Sequence, residues 1–169
     1  MNSDCEDSQK SDSRRHGTRD SLSLKARAVG YLSRREYSRL ELQKKLRRYL
    51  KEFETEDDLQ SVLDDLEQKG YLSDERFAKS RVRVRSNRYG NMRLAYELKN
   101  NGVSADLINS AIEELGVSEY DRARQLWQKR FGEPPADFKE RAKQMRYLLA
   151  RGFSLETARR VVQFDDFDE

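Results

Sequence analysis

The sequence is short of the residues that cross-link or punctuate a chain: 169 residues hold one cysteine, one histidine and two prolines. Cys5 alone cannot build a disulfide framework, and with His16 as the single imidazole there is no zinc-ligand set. Both lie in a polar N-terminal stretch. No apolar run reaches the roughly 18 residues that a membrane-spanning helix needs. The opening MNSDCEDSQK lacks the apolar core of a secretory signal. The expectation is a cytoplasmic, soluble protein with no membrane association.

Catalytic signatures are equally scarce. A lone histidine in the tail leaves no folded imidazole for proton transfer, and no glycine-rich phosphate cradle of the P-loop or dinucleotide type occurs. The carboxylate pairs Asp64-Asp65, Glu113-Glu114 and Asp165-Asp166 are sequence neighbours. On a helix such neighbours diverge by about 100° and do not converge on one ion. The chain therefore reads as a non-enzyme with no cofactor and no metal. A nuclease assembled from carboxylates of separate helices is the distant alternative.

Charge, by contrast, is abundant: 38% of residues are Asp, Glu, Lys or Arg, against roughly 25% in an average soluble domain. The formal net charge of +3 hides a strong alternation. Residues 24–52 carry net +7, 53–75 net −8, 76–101 net +7, 102–121 net −5, 122–163 net +7 and 164–169 net −4. Three basic blocks separated by acidic ones call for a search for internal repeats.

The helix signals are regular. Ser38 with Glu41, Thr55 with Asp58, and Ser118 with Asp121 have capping-box spacing. Ser73, Ser104 and Ser154 are further N-cap residues. Gly70, Gly102, Gly116 and Gly152 each close a periodic segment and precede Tyr71, Val103, Val117 and Phe153, the pattern of a left-handed stop with a hydrophobic contact after it. Gly132, followed by Pro134-Pro135, ends another segment. These marks predict nine helices, near 24–35, 38–51, 55–69, 73–88, 90–101, 104–115, 118–131, 137–151 and 154–163. The period-2 run Arg81-Val82-Arg83-Val84-Arg85 lies inside the fourth and is read as helix.

Every third helix repeats one apolar stripe. Leu59, Val62, Leu63 and Leu66 are answered by Ile108, Ala111, Ile112 and Leu115, then by Ala158, Val161 and Val162. First helices match through Ala28, Ala78 and Ala123, and middle helices through Leu98 before Gly102-Val103 and Leu148 before Gly152-Phe153. The prediction is an all-α protein of three tandem three-helix repeats forming an elongated, curved arc. The repeats would be residues 24–72, 73–117 and 118–163, after a disordered polar tail at 1–23 and before an acidic end at 164–169. An irregular nine-helix globule is the competing architecture.

The cluster most suggestive of function is Arg81, Arg83, Arg85 and Arg88, followed by Tyr89, Gly90 and Arg93. Arg81, Arg85 and Arg88 would line one helix face. Guanidiniums beside an aromatic ring and an open glycine turn suit phosphate contact and base stacking. They equally suit pairing with carboxylates of a partner protein, or a solvated face whose stems cover apolar surface. In the third basic block, Arg146 beside Tyr147, and Arg151, are the residues singled out.

Five segments in order resemble the RecX family, bacterial regulators of the RecA recombinase. They are Ala28–Arg34 with Glu41-Leu42; Gly70-Tyr71-Leu72-Ser73-Asp74-Glu75-Arg76-Phe77; Arg83–Leu98; Arg130-Phe131-Gly132-Glu133-Pro134; and Lys143–Phe153 running into Ser154. The likeness covers roughly 25–163. It implies three tandem three-helix repeats and a non-catalytic monomer that docks in the groove of the RecA filament on single-stranded DNA. Such a protein inhibits the ATPase, strand exchange and filament extension, and so modulates DNA repair and the SOS response, with a weak direct affinity for DNA. Arg83, Arg85, Arg88 and Arg93 match the family's basic positions. The family often has an Arg-Gly-Tyr-Gly-Pro type turn where this chain reads Arg88-Tyr89-Gly90-Asn91. The different-class alternative is a sequence-independent nucleic-acid-binding repeat protein that acts without RecA.

Overall fold

The computed structural model describes residues 22–52 and 54–162. Cys5, His16, Asp165-Asp166, the acidic end and nearly all of the expected tail lie outside them. Among the described residues the structure is all-α. The helices are α1 (Leu24–Leu32), α2 (Arg39–Leu46, continued by one 3₁₀ turn, Arg47–Tyr49), α3 (Glu56–Gln68), α4 (Asp74–Arg85), α5 (Asn91–Asn100), α6 (Ala105–Glu113), α7 (Glu119–Arg130), α8 (Phe138–Leu149) and α9 (Leu155–Val161).

The caps fall where the residues ask for them. Ser23, Ser38, Ser73, Ser104, Ser118 and Ser154 each accept a backbone N–H two or three residues into their helix. Thr55 and Asp58 form a reciprocal capping box. The stops are also as expected: Gly70, Gly102, Gly116, Gly132 and Gly152 all have positive φ. After α5 and α8 the chain closes identically, with Val103 N–H on Leu98 O and Phe153 N–H on Leu148 O. Val103 and Phe153 are buried there, 4% and 1% exposed. The same hydrophobic contact does not form at Tyr71 and Val117, which are 57% and 48% exposed. After Gly70 it is Leu72 that turns inward, and it takes the buried place instead.

The apolar stripes build three separate cores. Ala28, Leu42, Leu46, Leu59, Leu63, Leu66 and Leu72 fill the first. Phe77, Ala78, Val82, Leu94, Leu98, Val103, Ile108 and Ala111 fill the second, and Ala123, Trp127, Leu148, Phe153, Ala158, Val161 and Val162 the third. Each fully buried leucine is worth about 1.5–3 kcal/mol. Ala28, Ala78 and Ala123 are all fully buried at the same place in their first helices, where a methyl group lets neighbouring backbones approach. The extensive helix–helix packing runs within α1–α3, within α4–α6 and within α7–α9. The alternating run of α4 follows helical geometry: Val82 is buried while Val84 is 73% exposed.

The units meet through their middle helices, end to start. The C-terminal turn of α8 abuts the first residues of α5, where Gly90 N–H donates to Arg151 O (3.0 Å) and Met92 N–H to Gly152 O (3.1 Å). Carbonyls of the turn that follows α8 thus satisfy the N-cap Gly90 and a first-turn amide of α5 that would otherwise need a cap. Neither glycine can carry a side chain here. A Cβ on Gly90 would lie 2.3 Å from Gly152 O, and one on Gly152 would lie 2.6 Å from Arg93 N. At the first junction Gly102, ending α5, faces the side chain of Leu40 in α2.

A candidate anion-binding junction between the second and third units

The candidate arginines divide into two sets. Arg81 and Arg85 both turn to Glu97 on α5. Arg81 Nε donates to Glu97 Oε1 at 2.6 Å, and Arg85 Nε lies 2.9 Å from Oε2. That second contact is an ion pair without an aligned hydrogen bond, so the Arg85 Nε–H stays unsatisfied. The Glu97 side chain is 17% exposed, and two cations outweigh its single charge. Arg85 also covers the Tyr89 ring, 4.5 Å from its centroid, a favourable cation–π placement.

Arg83, Arg88, Arg93 and Arg146 are exposed, and none of them pairs with a carboxylate of the described residues. Arg88 does not continue the face of Arg81 and Arg85, as expected for a helix running to residue 88. α4 ends at Arg85, the chain turns at Ser86, and both Arg88 N–H and Tyr89 N–H bond back to Arg85 O. Nor is the glycine turn open. Gly90 is buried against the end of α8. That contact is what gathers the second set: Arg93 packs directly on Gly152, next in sequence to Arg151. Arg151 lies over the Tyr147 ring at 3.8 Å, with Nη1 donating to Tyr147 O at 3.4 Å. Residues 90–93 and 151–153, far apart in sequence, therefore adjoin.

Two residues that sequence reading passed over hold this arrangement. Arg122 of α7 is 4% exposed. Its Nη1 donates to Ser86 O (3.0 Å) and Tyr89 O (2.9 Å), and its Nη2 donates to Asn91 Oδ1. Burial pushes the guanidinium pKa down, and Glu119 offsets this in part; an arginine remains a cation regardless. Glu119 accepts from Asn91 N–H at 2.8 Å and from the Thr157 hydroxyl at 2.9 Å. A signal for Arg122 existed: counted from the helix caps, it stands where α4 carries the core residue Phe77, and a charge at a core register needs partners. For Glu97, the signal was its being the lone acid of a block with eight basic residues.

No group of three or more His, Cys, Asp or Glu among the described residues is placed to hold a metal ion. No helix there is long and apolar enough to cross a membrane. Fold and site together define a class: a tandem three-helix repeat protein whose second and third units share a cationic junction. Family models described as the second and third three-helix domains of RecX match residues 73–112 and 118–162. The regulatory protein RecX of Ralstonia nicotianae is 47% identical over 156 residues, covering 89% of this chain and 96% of that protein. That of Ralstonia pickettii is 48% identical over 144 residues, covering 85% and 89%. The chain belongs to the RecX family of regulatory proteins. The crystal structure of RecX from Lactobacillus salivarius has the same fold, with a TM-score of 0.69 at 21% identity over 86% of this chain and 96% of that one.

Proposed function

We propose that this protein regulates the RecA recombinase: it binds in the groove of the RecA filament on single-stranded DNA and inhibits ATP hydrolysis, strand exchange and filament extension. It acts without catalysis or cofactor, as a cytoplasmic monomer, and thereby modulates DNA repair and the SOS response. The observation that carries the reading is that exposed Arg88, Arg93 and Arg146, unpaired with any carboxylate of the described residues, lie on the two segments that meet where Arg93 packs on Gly152, next to Arg151. A filament of repeating acidic surface and phosphate is the polymer that such a junction fits. Arg83 extends the basic surface along α4, while Arg81 and Arg85 are held by Glu97, Arg85 over the Tyr89 ring.

The test is titration of the protein into RecA, single-stranded DNA and ATP, followed by hydrolysis. Inhibition is expected, and double charge reversal, Arg93→Glu with Arg151→Glu, should weaken it about tenfold while the helical circular dichroism persists. Unchanged hydrolysis with the unaltered protein would sink the reading. The guanidinium–tyrosine pairs Arg85/Tyr89 and Arg151/Tyr147 favour one other reading, a sequence-independent nucleic-acid binder that works without RecA. Tight, steeply salt-dependent binding to naked DNA with no preference for RecA-coated DNA would select it.

A further inference from the structure

The internal repeat shows a groove in two states. In the first unit, the cleft between α2 and α3 is filled by Arg39. Its guanidinium donates to Gln60 Oε1 (2.9 Å), Asp64 Oδ1 (2.6 Å) and Glu67 Oε2 (2.5 Å). The equivalent positions in the second unit follow from the caps. Ser38 and Gly90 precede the middle helices, so Arg39 corresponds to Asn91 and Leu40 to Met92. Thr55 and Ser104 cap the third helices, so Gln60 corresponds to Asn109, Leu63 to Ile112 and Asp64 to Glu113. Two of the three acceptors are retained, an amide and a carboxylate at the same spacing, while Glu67 gives way to Gly116 and the arginine is absent. Asn91 is too short to replace it, and its Oδ1 already accepts from Arg122.

What remains between α5 and α6 is an open groove of about 440 Å³ lined by Asn91, Met92, Ala95, Asn109, Ile112 and Glu113. Glu113 has no basic partner among the described residues, whereas its neighbour Glu114 pairs with Lys79. Met92 and Tyr96, one turn apart on the α5 wall, are 66% and 62% exposed. The groove thus combines the apolar Met92, Ala95 and Ile112 with an amide and a carboxylate, Asn109 and Glu113, one turn apart on α6.

We propose that the groove between α5 and α6 is a docking site for an arginine side chain of a partner protein, its guanidinium meeting Glu113 and Asn109 and its stem lying along Met92, Ala95 and Ile112. Arginine is favoured over lysine because a planar fork reaches two acceptors at once, as Arg39 does. The groove borders the cationic junction, sharing Asn91 and Met92 with it, and recognises the opposite charge. A partner held by both would present carboxylate or phosphate to one and arginine to the other.

The test uses the isolated protein and N-acetyl-arginine amide at millimolar concentration, read by NMR at the Met92 methyl and the Asn109 and Glu113 amides. Saturable shifts at these three are expected, weakened about fivefold or more by Glu113→Gln. Asn91→Arg, which would fill the groove from within, should abolish them. Absence of saturable shifts overturns the proposal, as do equal shifts with N-acetyl-leucine amide or N-acetyl-lysine amide. A Met92 shift produced by Arg14→Ala with Arg15→Ala assigns the groove to the chain's own N-terminal segment and overturns the partner. So does a dependence of the signals on protein concentration without ligand, which assigns it to a second copy.

Discussion

The two junctions between units share one plan and differ in how closely the backbones approach. In both, the first residue of the next unit's leading helix is an acid that accepts the N–H of the first residue of the preceding middle helix. Asp74 takes Arg39 N–H at 2.7 Å, and Glu119 takes Asn91 N–H at 2.8 Å. From there they part. Ser38 caps its own helix through its hydroxyl, and Gly102 at the end of α5 faces the Leu40 side chain of α2. At the second junction Gly90 has no side chain to cap with, and the Gly152 carbonyl, in the turn after α8, takes the Met92 N–H instead. The polar partners differ as well: an exposed Arg76–Glu36 pair on one side, the buried three-bond Arg122 on the other. A helix start that cannot satisfy itself is one that another helix end can hold, so the absent side chain of Gly90 makes the second junction the tighter one.

Exchange of the two cap residues is the strongest way to break that comparison. Gly90→Ser would drive a Cβ into Gly152 O and should lower stability by about 2–3 kcal/mol, read as the midpoint of urea unfolding. Ser38→Gly, its reciprocal, should lose only a few tenths of a kcal/mol. Equal losses would mean that the backbones do not approach as described. Arg122→Ala comes next. It leaves two carbonyls and the Asn91 amide without donors, for about 2 kcal/mol, whereas Arg76→Ala at the first junction should stay within about 0.5 kcal/mol.

Acid gives the smallest effect and sharpens the contrast from the other side. Arg47 and then Gln43 hold the Glu56 carboxyl below its usual range; the Thr55 N–H does so for Asp58, and Lys25 and Lys69 for Asp65. A carboxyl whose folded pKa is depressed adds stability that is complete above its unfolded pKa and lost as pH falls through the folded one. All three lie in the first unit. Below about pH 4 amide exchange should therefore rise first in α1–α3, before the fluorescence of Trp127, buried in the third unit, changes. Simultaneous loss would show that the units unfold as one.

The charge pattern also resolves differently along the chain. The first unit neutralises itself, with Arg39, Arg47, Lys25 and Lys69 paired to Asp64, Glu67, Glu56 and Asp65. From Arg81 to Arg93 five arginines meet the single acid Glu97, so an excess remains outside. Equal net charges of +7 read from sequence thus describe different surfaces. Arg47 is paired with Glu56 and Lys45 lies over the Tyr31 and Tyr37 rings, whereas Arg88, Arg93 and Arg146 meet no carboxylate of the described residues.

Helix starts and stops, the all-α class and the three-unit period were legible because they depend on residues within four positions of one another. Ser–x–x–acid caps, glycines at positive φ and apolar stripes act locally, and their spacing is written in the chain. The expected residues Arg81 and Arg85 could be found, but not their tether to Glu97, twelve or more residues away. Arg88 was assigned to the wrong face because the helix ends at a buried Ser86 that no cap signal announces. Gly90 was read as an open turn, since nothing local reveals what leans on a glycine.

By itself, then, the sequence determined where each helix begins, where those closed by a glycine end, which stripe each buries, and that the pattern recurs three times. The tertiary structure decided which charges cancel, which glycine only ends a helix and which is also a contact, and that residues 90–93 and 151–153 adjoin. The physical reason is range. Caps, propensity and amphipathicity are settled within a turn or two of helix, whereas an ion pair or a backbone contact between units depends on distances that only packing sets.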